Sequence, residues 1–350
     1  MSFDVEAATA AYVDAMGPER LARATAFTTG GHWILLWSLL VSILAAYLVA
    51  RSGLLGRSFV RNPDRLNRTA AVSGLVTFLL TAVLTLPWDL YTGWFRMHAY
   101  GRSSQPLWDF LGQWALGTTL TAVLGAGVVT LVYAFLRRTG QWWWLWASGA
   151  VTVVMSVMLL AAPVLIEPMF NTFKPLESGP MRDAVERIMS ACGYATDGVS
   201  VMDGSRRSSH GNAYFTGFGA HKRIVLFDTL IERLSPAQVE AVLAHELGHY
   251  RLHHIVRRLT LSFASALIGF AALGYATTRP DWFAALGVTT PNPALMLALF
   301  TMVVPVFLFP LSPLSGWLSR RDEYAADRYA AAHAEAQELA DALVKLYRDR

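Results

Sequence analysis

His245, Glu246 and His249 stand in the order H-E-x-x-H. Histidines four residues apart share one face of an α-helix, one turn from each other. That spacing lets both imidazoles bind a single Zn²⁺. Glu246 lies between them, where its carboxylate can act as base on a zinc-activated water. The competing reading is a pair of surface histidines on an ordinary helix. A catalytic zinc takes three protein ligands and keeps a fourth position for water, so a third ligand is needed. His253 and His254 follow too closely to be the obvious choice, since neither falls one turn beyond His249 on the ligand face. The sequence has no H-E-x-x-H-x-x-G-x-x-H pattern, which argues against a metzincin.

The better source of a third ligand is Arg320-Arg321-Asp322-Glu323-Tyr324-Ala325-Ala326-Asp327. On a helix, Glu323 and Asp327 face the same way. Glu323 is then a candidate zinc ligand. Asp327 is a candidate to accept the spare N–H of a ligand histidine and fix its tautomer. The competing reading is a solvated helix face, with Asp322 and Arg328 among its charges. The need for a third ligand favours the metal reading.

These residues must be held by a scaffold. Ser235-Pro236-Ala237-Gln238 predicts a helix start: serine at the N-cap, proline at the first helical position, glutamine three residues on. Val239, Val242, Leu243 and Leu247 supply that helix's apolar positions. Upstream, Met181 to Cys192 reads as an amphipathic helix with Val185, Ile188 and Met189 on one face. Val199 to Met202 reads as a strand. Asn212 to Phe218 and Arg223 to Phe227 read as two strands joined by a glycine-containing turn.

Most of the remaining chain is apolar. Of 350 residues, 54% are hydrophobic and only 15% charged, against about 25% charged in ordinary soluble domains. Mean hydropathy is +0.37. Six stretches are long enough to cross a bilayer: about Trp33–Ala50, Ala70–Leu90, Trp114–Leu136, Trp142–Ile166, Leu259–Thr277 and Ala294–Leu318. Trp88 and Tyr91 read as an interfacial belt, and Pro305 and Pro310 should kink the last span. Met1 to Thr29 lacks the basic start and apolar centre of a signal peptide and reads as an amphipathic helix. The net charge of +4 comes almost wholly from arginine, since the lysines are Lys174, Lys222 and Lys345 alone. No basic run is interleaved with aromatics, so nucleic acid is excluded as a partner. Cys192 is the sole cysteine, which excludes an intrachain disulfide and a cysteine zinc site.

The expected architecture is mainly α: a polytopic membrane protein with about six spanning helices around a zincin-like catalytic domain containing a small β-sheet. Residues 1–170 form an N-terminal membrane region with four spans. Residues 171–258 form the zinc-site domain with the H-E-x-x-H helix. Residues 259–318 hold two further spans, and 319–350 a helix carrying the third ligand.

The motifs together resemble the type I CAAX prenyl endopeptidases, integral-membrane zinc metalloproteases of the gluzincin kind. The resemblance rests on His245–His249, on Glu323-Tyr324-Ala325-Ala326-Asp327 after Ser319-Arg320-Arg321, on Asp203 to Phe215, and on Lys222 to Leu230. Leu86-Pro87-Trp88 and Glu167 to Asn171 also match. It implies one Zn²⁺ per chain on His245, His249 and Glu323, with Glu246 as base. It implies a role near the chemistry for Asp327, as proton donor or as partner of a ligand histidine. Asn212, Ala213 and Tyr214 resemble the edge strand that pairs with an extended substrate. His254 and Arg321 match positions near the site and are candidates to stabilise an oxyanion. Family members often carry an additional N-terminal span and continue to a Ser-His-Pro segment, whereas this chain shows six stretches and ends at Arg350.

The expected function is zinc-dependent hydrolysis of peptide bonds without a covalent acyl-enzyme. Expected substrates are prenylated CAAX-type peptides or, in a bacterium, other peptides and membrane proteins in quality control. The arginine-over-lysine bias favours a bacterial inner membrane, with the zinc side towards the cytoplasm. Arg257, Arg258, Arg320 and Arg321 fit that sidedness, while Arg51, Arg57, Arg61, Arg65 and Arg68 oppose it. Peptide or protein substrate and membrane lipid are the expected partners, and the oligomeric state is left open. The rival functions are a zinc-binding membrane sensor or structural protein without turnover, and a transporter. Against the first stands an intact Glu246; against the second, the lack of an internal repeat.

Overall fold

The computed structural model describes residues 5–15, 17–52, 66–193, 195–216, 221–279, 281–282 and 308–348. Helix α1 runs over Val5–Ala15 and α2 over Pro18–Arg51. Between them Gly17 takes φ +78°, a conformation open to glycine at little cost. Proline at the first helical position then starts α2. The expected amphipathic helix over residues 1–29 is therefore two helices, and the second continues without interruption into the first span.

Helix α3 spans Leu66–Asp89, α4 Leu107–Arg138 and α5 Trp143–Ala161. Among the described residues, five helical segments are long and apolar enough to cross a membrane: Pro18–Val49, Asn67–Ala99, Leu107–Arg138, Gly140–Phe170 and His254–Ala276. They match the first five expected stretches. The sixth, Ala294–Leu318, falls mostly outside the described residues, as do Pro305, Arg57, Arg61 and Arg65.

Two spans widen into π-helix, at Leu90–Phe95 and at Ala162–Ile166. Pro87 precedes the first by three residues and Pro163 lies within the second. A proline has no N–H to give and its ring crowds the carbonyl four residues back, so a wider turn relieves the helix there. Small residues let the spans approach closely. A Cβ on Gly74 would lie 3.2 Å from the Ala126 Cα, and Gly125 faces the Phe78 ring. Trp88 is not simply a belt residue: its indole Nε1 donates to Ser38 Oγ of α2 at 2.9 Å. Trp143, at the start of the fourth span, is buried with Val132, Ala147 and Leu273.

The catalytic segment follows the fourth span. It holds β1 (Phe173–Pro175), helix α6 (Pro180–Ala191), β2 (Ala195–Met202), β3 (Ala213–Thr216) and β4 (His221–Phe227). Then come α7 (Pro236–Arg251), α8 (His254–Ala276), α9 (Ser312–His333) and α10 (Ala336–Arg348). The sheet order is β1-β2-β4-β3. β2 and β4 are parallel, with Val201 opposite Leu226, while β1 and β3 are antiparallel to their neighbours. β3 is thus an outermost strand among the described residues.

One apolar core joins these parts. Val185, Ile188 and Met189 of α6 meet Ile224 and Leu226 of β4, Val239, Leu243 and Leu247 of α7, and Leu339 and Leu346 of α10. Burying each such side chain contributes roughly 1.5–3 kcal/mol. The segment also docks onto one end of the membrane helices. Arg206 pairs with Asp109 of α4 at 2.9 Å, Ser103 Oγ donates to the Arg207 carbonyl at 2.6 Å, and the Ser209 N–H donates to the Arg102 carbonyl at 3.1 Å. The connection between the second and third spans therefore shares a membrane face with the catalytic segment. Tyr12 of α1 donates to Asp341 of α10 at 3.1 Å, so α1 and α10 meet.

Candidate metal centre

Helix α7 begins with the expected capping box. The Gln238 N–H donates to Ser235 Oγ and the Ser235 N–H to Gln238 Oε1, each at 3.2 Å. Lys345 of α10 adds a 2.8 Å bond to the same Gln238 oxygen. Val239, Leu243 and Leu247 face the core, so the ring-bearing face with His245 and His249 turns towards α9. Gly248 lets α9 come close. A Cβ there would sit 3.0 Å from the Ala326 Cα and 3.2 Å from its carbonyl oxygen.

That approach brings Glu323 to both histidines. His245 Nε2 and His249 Nε2 are 3.1 Å apart, and Glu323 Oε2 lies 3.4 Å from the first and 3.3 Å from the second. In a tetrahedral site with zinc–ligand bonds of about 2.0–2.2 Å, ligand atoms stand about 3.3–3.6 Å apart. The triangle of two imidazole nitrogens and one carboxylate oxygen therefore fits zinc in size and in donor type. The other ring nitrogens are already engaged. His245 Nδ1 lies 2.8 Å from Asp327 Oδ1, and His249 Nδ1 lies 3.0 Å from His254 Nδ1. With the protons on Nδ1, both Nε2 lone pairs and a carboxylate converge with no donor between them, which calls for a cation.

The electrostatics agree. Burial alone would pull His245 down, but the Asp327 hydrogen bond and the charges of Asp327, Glu246 and Glu323 outweigh it and hold its pKa above the usual value. The site thus attracts positive charge. His249 goes the other way: burial, with the charges of His245, His254 and Arg258, keeps it neutral, the ligating form. Burial, aided by the Glu323 charge, pushes Glu246 up to about 6, the range in which a carboxylate serves as a general base.

The remaining expected residues are placed as follows. Asn212 immediately precedes β3, its side-chain oxygen accepting from the Ala213 N–H at 2.9 Å. Ala213 is buried. Tyr214 donates its hydroxyl to Glu167 Oε2 at 2.5 Å, which ties β3 to the end of the fourth span. Burial and that carboxylate raise the Tyr214 pKa, so the phenol stays protonated. His254 is 4% exposed and packed against His249 rather than open to a substrate. Arg321 is exposed on α9. Asp322 is not on a solvated face: it is 2% exposed, paired with Arg257, and 3.4 Å from Arg258. Arg258 also reaches Glu323, at 3.8 Å. Sequence reasoning assigned Arg257 and Arg258 only a flanking charge, because nothing in their spacing to Asp322 shows that the two helices meet.

Residues 10–172 match the family described as CAAX prenyl protease N-terminal, five membrane helices. Residues 175–348 match peptidase family M48. The chain is 32% identical over 286 residues to the CAAX prenyl protease 1 homolog of Arabidopsis thaliana, covering 80% of this chain. It is 30% identical over 314 residues to the Homo sapiens homolog, covering 79%. In both cases the chain spans 66% of the relative's length. The crystal structure of S. mikatae Ste24p is similar, with a TM-score of 0.72 at 26% identity, over 79% of this chain and 69% of that one. With residues 10–172 and 175–348 matching these two families in turn, the chain belongs to the M48 peptidases of the CAAX prenyl protease kind.

Proposed function

We propose that this protein is a membrane-embedded zinc metalloendopeptidase. The observation that carries the reading is the convergence of His245 Nε2, His249 Nε2 and Glu323 Oε2 within 3.1–3.4 Å, with Glu246 on the same helix turn. His245, His249 and Glu323 would hold one Zn²⁺, which would supply Lewis acidity for a water and for the peptide carbonyl. Asp327 holds His245 with its Nε2 lone pair towards Glu323 and His249 Nε2. Glu246 takes the proton of the attacking water and returns it to the leaving amine as the C–N bond breaks. No side chain bonds covalently to the acyl group.

The outer edge of β3, from Asn212 to Tyr214, receives the substrate as an added strand. Tyr214 anchors that edge to Glu167, and so to the membrane helices. The relatives' names make prenylated CAAX-type peptides the first substrates to try. The arginine-rich composition of this chain supports a bacterial membrane, where other peptides and damaged membrane proteins are the wider substrate class. The catalytic segment is assigned to the cytoplasmic face.

The test uses the full chain purified in detergent and a quenched peptide ending in a CAAX-type sequence, with and without a prenyl group. Chelation should abolish cleavage and added Zn²⁺ restore it. Glu246→Gln should keep its zinc and lose cleavage by roughly 10²–10⁴-fold. Retained zinc with unchanged cleavage would remove Glu246 as base. Bound zinc with no cleavage of any peptide tried would favour the sensor reading.

A further inference from the structure

The H-E-x-x-H helix ends in the one backbone departure of its kind among the described residues. His253 is the only non-glycine residue there with a positive φ, at 56°. Helix α7 stops at Leu252, whose N–H closes onto the Gly248 carbonyl at 3.0 Å, and α8 starts at once with His254. In an unbroken helix, residues five apart point about 140° away from each other. The left-handed turn cancels that divergence. It lays the His254 ring against His249, with ring centroids 5.1 Å apart and planes at 72°. A left-handed non-glycine residue costs of order 1–3 kcal/mol, and such outliers persist where the surrounding structure demands them.

The contact it creates is specific. His249 turns Nε2 to the ligand triangle, so its proton sits on Nδ1. That N–H points at His254 Nδ1, 3.0 Å away, which must then carry a lone pair. The His254 proton is left on Nε2, which faces Asp322 Oδ1 at 3.9 Å. Asp322 is in turn held between Arg257 and Arg258. Helix α9 thus supplies Glu323 itself, Asp327 behind His245, and Asp322 behind His254.

We propose that His254 is a positioning residue for zinc: it fixes the tautomer and ring plane of His249, as Asp327 does for His245, through a His249–His254 relay that the Asp322 charge biases from beyond hydrogen-bond distance. The proposal rests on the metal centre described above. A neutral imidazole behind one ligand and a carboxylate behind the other give the two histidines unequal donor strength.

The test measures zinc affinity of the detergent-solubilised full chain by competition with a chromogenic chelator, alongside thermal midpoint. His254→Leu keeps the bulk and loses the acceptor, and should weaken zinc by 10–100-fold. His254→Asn places an oxygen near the Nδ1 position and should recover most of the affinity. His254→Gln places it near Nε2 and should not. That ordering, at comparable thermal midpoints of the metal-free proteins, supports the relay, and the Asn–Gln pair alone decides it should the leucine variant not fold. If the wild type holds zinc while all three variants bind within threefold of it, or if Asn and Gln bind alike, the positioning role is overturned and the metal centre stands. A wild-type chain that binds no zinc overturns both.

Discussion

Gly248 meets Ala326 backbone to backbone: a Cβ on the glycine would lie 3.0 Å from the Ala326 Cα. The third ligand arrives by this contact. Glu323 and Asp327 flank Ala326 on α9, so the gap between α7 and α9 sets their distance to His245. Gly248→Ala should push the helices apart by a few tenths of an ångström, because the obstruction is rigid backbone. Overpacking of this kind costs about 1–3 kcal/mol. The expected outcome is a lower thermal midpoint with weaker zinc binding, and an unchanged zinc affinity would show that α9 adapts without moving Glu323.

Zinc removal should destabilise the catalytic segment. A ligand present at 1,000 times its Kd stabilises the folded state by about 4.1 kcal/mol. Differential scanning calorimetry with and without a chelator measures this. Glu323→Gln should abolish the difference, since it weakens one of the three ligands. Asp327→Asn should reduce it, because the amide no longer charges the bond to His245 Nδ1.

The capping box offers a control remote from the chemistry. Ser235→Ala removes the acceptor of the Gln238 N–H. Losing such a cap costs about 1 kcal/mol. Thermal stability should fall by that amount while zinc affinity stays the same.

Tyr214 links the substrate edge to the membrane helices through Glu167. Tyr214→Phe removes the hydroxyl and leaves the ring in place. Zinc content should not change, but KM for extended peptides should rise as the β3 edge loosens. An unchanged KM would place substrate binding elsewhere.

Sidedness is open to direct measurement, because Cys192 is the sole cysteine. In a Cys192→Ser background, Glu186→Cys reports the catalytic segment, and Asp281→Cys the far end of the fifth span. The two should label from opposite membrane faces, with Glu186→Cys reached only from the cytoplasm. The positive-inside argument needs this check, since Arg257 and Arg258 are engaged with Asp322 and Glu323 and part of the flanking charge is neutralised.

The chain's own pattern determined what depends on local spacing. Apolar runs marked the first five spans, since a bilayer needs about 20 apolar residues wherever they occur. Ser235-Pro236 marked the start of α7, and His245 to His249 the shared face. The proximity of Glu323 and Asp327 to the two histidines was also within reach, because a zinc site with two candidate ligands demands a third. β1 was not legible: three residues including Pro175 show no alternation. The π-turns at Leu90–Phe95 and Ala162–Ile166 were missed because proline signals a disturbance without saying how the helix absorbs it.

Only the tertiary structure decided what depends on how α7, α8 and α9 meet. Asp322 reads as solvated on its own helix, yet it is buried because α8 covers it with Arg257 and Arg258. The resemblance makes His254 a candidate to stabilise an oxyanion, and the left-handed turn at His253 folds its ring onto His249. Helix periodicity fixes which residues share a face. It does not fix which neighbouring helix that face touches, and the partners of the zinc ligands are a property of that second choice.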